Sequence, residues 1–167
     1  HEKLIQRFQS NPNIHIVNCA LGAASGEAVL YSDRKGSPLG SLTQRDLDHL
    51  KIDFSTQEAV VIKKFDDYWM DVLGARPIDF AKIDVEGHEL AVLNGFEKAI
   101  AKTHVVQFEF GGCNIDTKTY FKDFWNFFKD NNFKIYRITP MGLQYVKKYR
   151  ENEETFLFTN YLAINNY

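Results

Sequence analysis

The chain has 167 residues, of which 44% are hydrophobic and 25% charged, and its formal net charge is -2. This length and composition are typical of a single globular domain, and the charge gives no reason to expect a nucleic acid or a membrane as partner. The two distant cysteines predict free thiols and therefore a cytoplasmic protein. Two cysteines are too few for a disulfide framework, and no apolar run reaches the roughly 20 residues of a membrane span.

The N-terminal part is predicted to consist of short elements around one long loop. Hydrophobic patterns predict an amphipathic helix at residues 1–13 and a short helix at 66–74. Strands are predicted at residues 14–17, 27–32 and 58–65. The polar segment 32–57 is long for a compact domain, so we expect it to be either functional or mobile.

The C-terminal part alternates strands and helices more regularly. Strands are predicted at residues 77–85, 103–110, 133–138, 143–149 and 155–165, with helices at 88–101 and 116–132. Four aromatic residues of the second helix form a stripe that favours core packing, namely Phe121, Phe124, Trp125 and Phe128. This order predicts an α/β fold with a mostly parallel sheet and an antiparallel edge formed by the last strands.

Acidic residues cluster where the strand 77–85 meets the following helix, in the segment "KIDVEGHELAVLNGF". Asp84 ends this strand and Glu109 lies near the end of the next one, so both carboxylates should lie on one rim, where α/β sheets bind ligands. We expect Asp84 to lose part of its hydration and therefore to have a partner or a task. Glu86 and Glu89 fit the ordinary chemistry of a helix start.

A metal site is the alternative interpretation of this segment. Asp84, Glu86 and His88 alternate, and an extended backbone would place them on one face, as a metal-dependent hydrolase could use. Gly87 and the helix start interrupt that alternation, and no second histidine is near in sequence. We therefore expect no metal, and neither a GxSxG nor an HExxH pattern is present.

The segment "IDFAKIDVEGHELAVLNGF" resembles the signature of the FkbM-type methyltransferases. Three other segments, "NIHIVNCALGAASGEAVLY", "VVIKKFDDYW" and "VVQFEF", are similar to further parts of the family in the same order. The resemblance covers roughly residues 1–139. It implies a Rossmann-like fold and S-adenosylmethionine-dependent methyl transfer to a hydroxyl oxygen of a sugar, a lipid or a secondary metabolite.

The resemblance also implies which residues would form the site. The implied cofactor-binding residues are Asn18, Cys19, Ala20, Leu21, Asp84 and Val85, the first four beside the adenine and the last two beside the methyl group. Asp84 and Glu109 are predicted catalytic residues that orient the acceptor or take its proton, and His88 is a third candidate. Segment 32–57 is predicted to cover or border the acceptor site.

The chain departs from the family at its beginning. The family's first two strands, with a glycine-rich loop and a ribose-binding acid, have no counterpart in the chain and would precede His1. We expect an N-terminally incomplete single domain that is inactive alone. For the exposed edge of strand 77–85 we expect one of three outcomes: re-pairing within the chain, self-association through this edge, or completion by an N-terminal segment supplied separately. A non-catalytic binding module is the main alternative to an enzyme, and a metal-dependent hydrolase is the second.

Overall fold

The computed structural model describes residues 1–166, which form a mixed α/β structure with two sheets. The α-helices are α1 (Glu2–Phe8), α2 (Phe65–Asp71), α3 (Glu89–Asn94), α4 (Cys113–Thr117) and α5 (Phe121–Asp130). The strands are β1 (Ala20–Gly22), β2 (Gly26–Ser32), β3 (Thr56–Lys64), β4 (Ile78–Ile83), β5 (Thr103–Phe110), β6 (Phe133–Thr139), β7 (Gly142–Tyr145) and β8 (Thr159–Asn165). None of the helices within these residues has the length and apolar character needed to cross a membrane.

The smaller sheet has three strands in the order β1-β3-β2, with β1 parallel and β2 antiparallel to β3. The predicted strand at 14–17 is not formed, since no neighbouring strand pairs with it, and the side chains of Ile14 and Val17 are exposed. The strand in this part of the chain is instead β1, which includes Ala20 and Leu21.

The larger sheet has five strands in the order β4-β5-β8-β6-β7. Only β4 and β5 are parallel in it, so the prediction of a mostly parallel sheet is wrong. The reason is the path of the chain after β6. It turns back directly into β7 and later inserts β8 between β5 and β6, antiparallel to both.

Strand β4 forms one edge of the larger sheet and is hydrogen-bonded to β5 alone among the described strands. Its Phe80 side chain is 53% exposed. An apolar edge with unpaired backbone groups can recruit another strand. Self-association through this edge stays a prediction.

The main core is aromatic and lies between the larger sheet and α5. The predicted stripe is confirmed for Phe121, Phe124 and Phe128, which are fully buried, whereas Trp125 is only half-buried. On β5, the ring of Phe108 stacks on neighbouring rings with centroid distances of 5.0 to 5.4 Å, on Phe124, Phe128 and Tyr161. This packing fixes β5, and with it the end of the strand that carries Glu109.

The predicted helix 88–101 is interrupted at Gly95, between α3 and a 3-10 helix (Ala99–Lys102). The carboxylate of Asp66, at the start of α2, accepts hydrogen bonds from the backbone N–H groups of Lys98 at 2.9 Å and Ala99 at 2.8 Å. Asp66 is buried, and it satisfies donors that a helix start leaves unpaired. The second helix therefore starts where a side chain distant in sequence caps it.

Replacing Asp66 by asparagine should lower the free energy of unfolding by about 1–2 kcal/mol, because an amide offers one acceptor oxygen where the carboxylate offers two. The neighbouring Asp67 is exposed, and Asp67→Asn is the matched control, with an expected change of less than about 0.5 kcal/mol. Chemical denaturation of both variants measures the difference. Equal stability of the two variants would contradict the capping role of Asp66.

Candidate functional site

The turn between β4 and α3 has an unusual backbone conformation. Glu86 has φ +53° and Gly87 has φ +100°, so two consecutive residues adopt left-handed geometry. This costs free energy at a residue with a side chain, and such strain concentrates at functional sites. A Cβ atom on Gly87 would lie 2.8 Å from the carbonyl oxygen of Cys113, so the close approach of α4 requires glycine there.

Glu89, the first residue of α3, holds this turn together from inside. Its Oε1 accepts hydrogen bonds from the backbone N–H groups of Val85 at 3.0 Å and Gly87 at 3.2 Å. The residue is only 2% exposed, and its Oε2 has no hydrogen-bond partner within residues 1–166. Burial raises the pKa of the Glu89 carboxyl, and the bonds from Val85 and Gly87 partly oppose that rise. The interpretation of Glu89 from the sequence as an ordinary helix-start acid is therefore incomplete, because the side chain also holds the turn.

A small cavity of about 10 Å³ lies at the ends of β4 and β5. It is lined by Asp84, Glu86, Gly87, Glu89, Glu109, Gly111, Cys113 and Asn114. The parallel register pairs Ile83 with Phe108, which brings the following residues, Asp84 and Glu109, to the same rim. The predicted juxtaposition of these two carboxylates is confirmed, and the cavity has room for one water-sized polar group.

The two rim carboxylates differ in their surroundings. Asp84 has the expected partner, since it forms a 2.7 Å ion pair with Lys82, but its side chain remains 41% exposed. The reason is its position on an edge strand. Glu109 lies one strand further in and is half-buried, and burial raises the pKa of its carboxyl. The charges of Asp84 and Glu86 add to this rise, and Lys82 opposes it.

Segment 32–57 packs against the turn between β4 and α3. Its Ser41 is buried and donates a hydrogen bond to the Glu86 carbonyl at 2.8 Å, while Thr43 Oγ1 lies 2.9 Å from Nε2 of His88. Arg45 binds Asp116 through Nε at 2.8 Å and approaches Glu86 with its terminal nitrogen at 3.4 Å. The segment thus borders the cavity.

A comparison with protein-family models matches residues 2–135 to the methyltransferase FkbM domain. The chain belongs to the FkbM methyltransferase family. The matched residues include both rim strands, the cavity and the segment that borders it. The resemblance predicted from the sequence is confirmed, and the family supports methyl transfer as the general reaction. Comparisons with curated proteins and with solved structures found no significant match.

The cavity of this FkbM-family chain brings together some of the predicted residues and leaves others aside. Asp84 and Glu109 line the cavity, and Val85 contributes its backbone N–H to Glu89. The lining does not include the predicted adenine-contacting residues, which are Asn18, Cys19, Ala20 and Leu21. His88 does not line the cavity either; its ring is held by Thr43, and burial lowers its pKa, which favours the neutral form near pH 7.

Several residues of the site were missed by sequence reasoning. Cys113 donates a hydrogen bond from Sγ to Glu86 at 3.0 Å, and Asn114 Oδ1 accepts one from the Gly111 N–H at 2.9 Å. The polar residues that closely follow Gly111 were the available signal. For Arg45 there was no local signal, because its partners lie 41 and 71 residues further along the chain.

The alternative metal site receives no support from the geometry. Asp84 contacts Lys82, Glu86 contacts Arg45, and His88 contacts Thr43, so the three side chains do not converge. Between His1 and Asn166, no three His, Cys, Asp or Glu side chains are grouped so that they could hold an ion.

Proposed function

We propose that this FkbM-family chain carries the acceptor side of an S-adenosylmethionine-dependent O-methyltransferase site. The reaction is methyl transfer to a hydroxyl oxygen of a small molecule, such as a sugar, a lipid or a secondary metabolite. The supporting observation is the pair of carboxylates on one rim, Asp84 with a cation partner and Glu109 without one within the described chain.

The residues at the rim fit the methyl donor chemically. S-adenosylmethionine supplies, when bound, an electrophilic methyl group on a positively charged sulfur. Carboxylates such as Asp84 suit a positive charge and the hydroxyl groups of a ribose. The residues that would hold the donor are Asp84, Val85 and the stretch 18–21, as the family resemblance implies.

Glu109 is the proposed general base. One of its carboxylate oxygens takes the proton of the acceptor hydroxyl as the new oxygen–carbon bond forms, and the carboxyl becomes neutral. Its raised pKa makes Glu109 a stronger base than an ordinary glutamate. A bound sulfonium donor would become neutral as its sulfur–carbon bond breaks, so protonation of Glu109 would keep the net charge of the site unchanged.

Asp84 has the complementary role of orienting the acceptor. Its ion pair with Lys82 fixes one carboxylate oxygen at 2.7 Å, which leaves the other free to accept a hydrogen bond from a hydroxyl. Much of the catalysis of such a displacement comes from holding the two reactants in line. A rim carboxylate in a fixed position serves that purpose.

The test is an assay of methyl transfer from S-adenosylmethionine carrying a labelled methyl group to a panel of hydroxyl compounds. It uses the protein together with any residues that its gene encodes before His1. We expect Glu109→Gln to lower kcat by about 10²-fold, the typical contribution of a general base. Asp84→Asn should abolish transfer while the melting temperature changes little, because Asp84 is exposed and its pair with Lys82 lies at the surface.

The matched control is Glu58→Gln, which removes one negative charge from an exposed position on β3 in the other sheet and should keep full activity. Near-normal turnover of Asp84→Asn and Glu109→Gln would refute the assigned roles. Tight binding of S-adenosylhomocysteine in a calorimetric titration without any methyl transfer would favour a non-catalytic binding module instead.

A further inference from the structure

Negative charge dominates the surroundings of the cavity. Four carboxylates line it, those of Asp84, Glu86, Glu89 and Glu109. The nearby cations are Lys82, paired with Asp84, and Arg45, which divides its contacts between Glu86 and a fifth carboxylate on α4. Within residues 1–166, Glu89 and Glu109 form no ion pair. A ligand at this rim therefore enters a field that favours positive charge.

The unpaired oxygen of Glu89 indicates what kind of group the cavity takes. Glu89 lines the cavity and is only 2% exposed. Its Oε1 accepts the hydrogen bonds of the turn, whereas its Oε2 has no partner in the described chain. A buried acceptor without a partner is costly until a donor reaches it. The cavity admits one small group, and a hydrogen-bond donor there would satisfy Oε2 of the carboxylate.

We propose that the acceptor of the methyl group enters this cavity with a donor group, a hydroxyl or a protonated amine, and carries no negative charge near it. Amino alcohols and amino sugars should bind best, neutral polyols less well, and carboxylated or phosphorylated compounds least. That the ligand is the methyl acceptor rests on the proposed function. The excess of carboxylates itself rests only on the geometry.

Besides the buried Glu89, charged groups from several segments face the rim. Asp84 and Glu86 follow β4, Glu109 ends β5, and Lys82 and Arg45 each lie against one of them. The same negative neighbours contribute to the raised pKa of Glu109. An anionic ligand would meet this field, and both cations that border it within residues 1–166 are already paired with carboxylates.

The experiment compares three probes with one ring and different charge: the methyl glycosides of glucose, glucosamine and glucuronic acid. Binding at pH 7 is followed by the shifts of the backbone N–H signals of Gly87, Glu109 and Gly111 in nuclear magnetic resonance. We expect the glucosaminide to bind at least about tenfold more tightly than the glucuronide at low salt, with the glucoside between them. The difference should shrink in about 1 M salt, where the screening length falls to roughly 3 Å.

Two variants make the result specific for the rim. Glu109→Gln should narrow the difference between the glucosaminide and the glucuronide, whereas Glu58→Gln, with the same change of net charge, should preserve it. Glucuronide binding as tight as that of the glucoside would overturn the proposal, and so would the absence of shifts at all three positions with every probe. If the three probes bind in the expected order but no methyl transfer occurs, the proposed function is refuted and the ligand preference stands. If methyl transfer occurs but the probes do not bind in that order, the ligand preference is refuted and the proposed function stands.

Discussion

Replacing Glu89 by alanine should lower the free energy of unfolding by roughly 2–4 kcal/mol, because two buried N–H groups lose their acceptor at about 1–3 kcal/mol each and the unpaired Oε2 disappears at the same time. The groups concerned belong to Val85 and Gly87, in the turn with left-handed backbone. Chemical denaturation measures the loss. A change below about 0.5 kcal/mol would show that the turn does not depend on Glu89.

Glu89→Gln is the isosteric comparison, and its effect should depend on pH. Its amide oxygen can replace Oε1, so the turn should persist. The folded-state pKa of Glu89 is raised by burial, so its contribution to stability is complete below the ordinary glutamate pKa of about 4.3 and is lost as the pH rises through the raised value. Glutamine has no such loss.

The melting temperature of Glu89→Gln relative to the wild type should therefore increase from pH 4 to pH 8. Thermal unfolding of both proteins over this range gives the difference directly. Glu109 also has a raised pKa, but it is present in both proteins and largely cancels. A difference that falls with pH would mean that Glu89 is stabilised as a charged carboxylate.

The elements that the sequence predicted well have strong local patterns. Strand β5 was predicted with the observed bounds, since a run dense in apolar and β-branched residues lies before two glycines. Strand β4 and the buried face of α5 were also predicted correctly, because a continuous strand and a stripe at spacings of three and four each carry their own signal. The predicted ends of β4 and β5 were sufficient to place Asp84 and Glu109 on the same rim.

Features that depend on contacts between distant segments were predicted poorly. A run such as residues 14–17 has strand composition, but strand formation requires a paired neighbour, which composition does not reveal. The direction of β8 depends on the path of the chain after β6. The roles of Glu89 and Arg45 depend on burial and on partners elsewhere in the chain. The exposure of the Asp84 side chain depends on the position of β4 at the edge of the sheet, which the local sequence does not show.

Gly95→Ala should be among the most destabilising single substitutions in the chain, with an expected loss of about 3 kcal/mol from forced overpacking. Gly95 has an ordinary φ of -80°, so the backbone conformation is not the reason. A Cβ atom there would lie 2.3 Å from the carbonyl oxygen of Gly22 and 3.1 Å from that of Val92. Both are backbone atoms, so no side-chain rotation relieves the clash, and β1 has to move away from α3.

Gly26→Ala is the matched control, because no heavy atom lies within 4 Å of a Cβ placed on Gly26 at the start of β2. Its stability should stay within about 0.5 kcal/mol of the wild type or rise slightly, since alanine reduces the entropy of the unfolded chain. Urea denaturation of the two variants separates the effect of contact from that of glycine removal. Equal stability of Gly95→Ala and Gly26→Ala would mean that β1 does not pack on α3 as closely as the 2.3 Å separation requires.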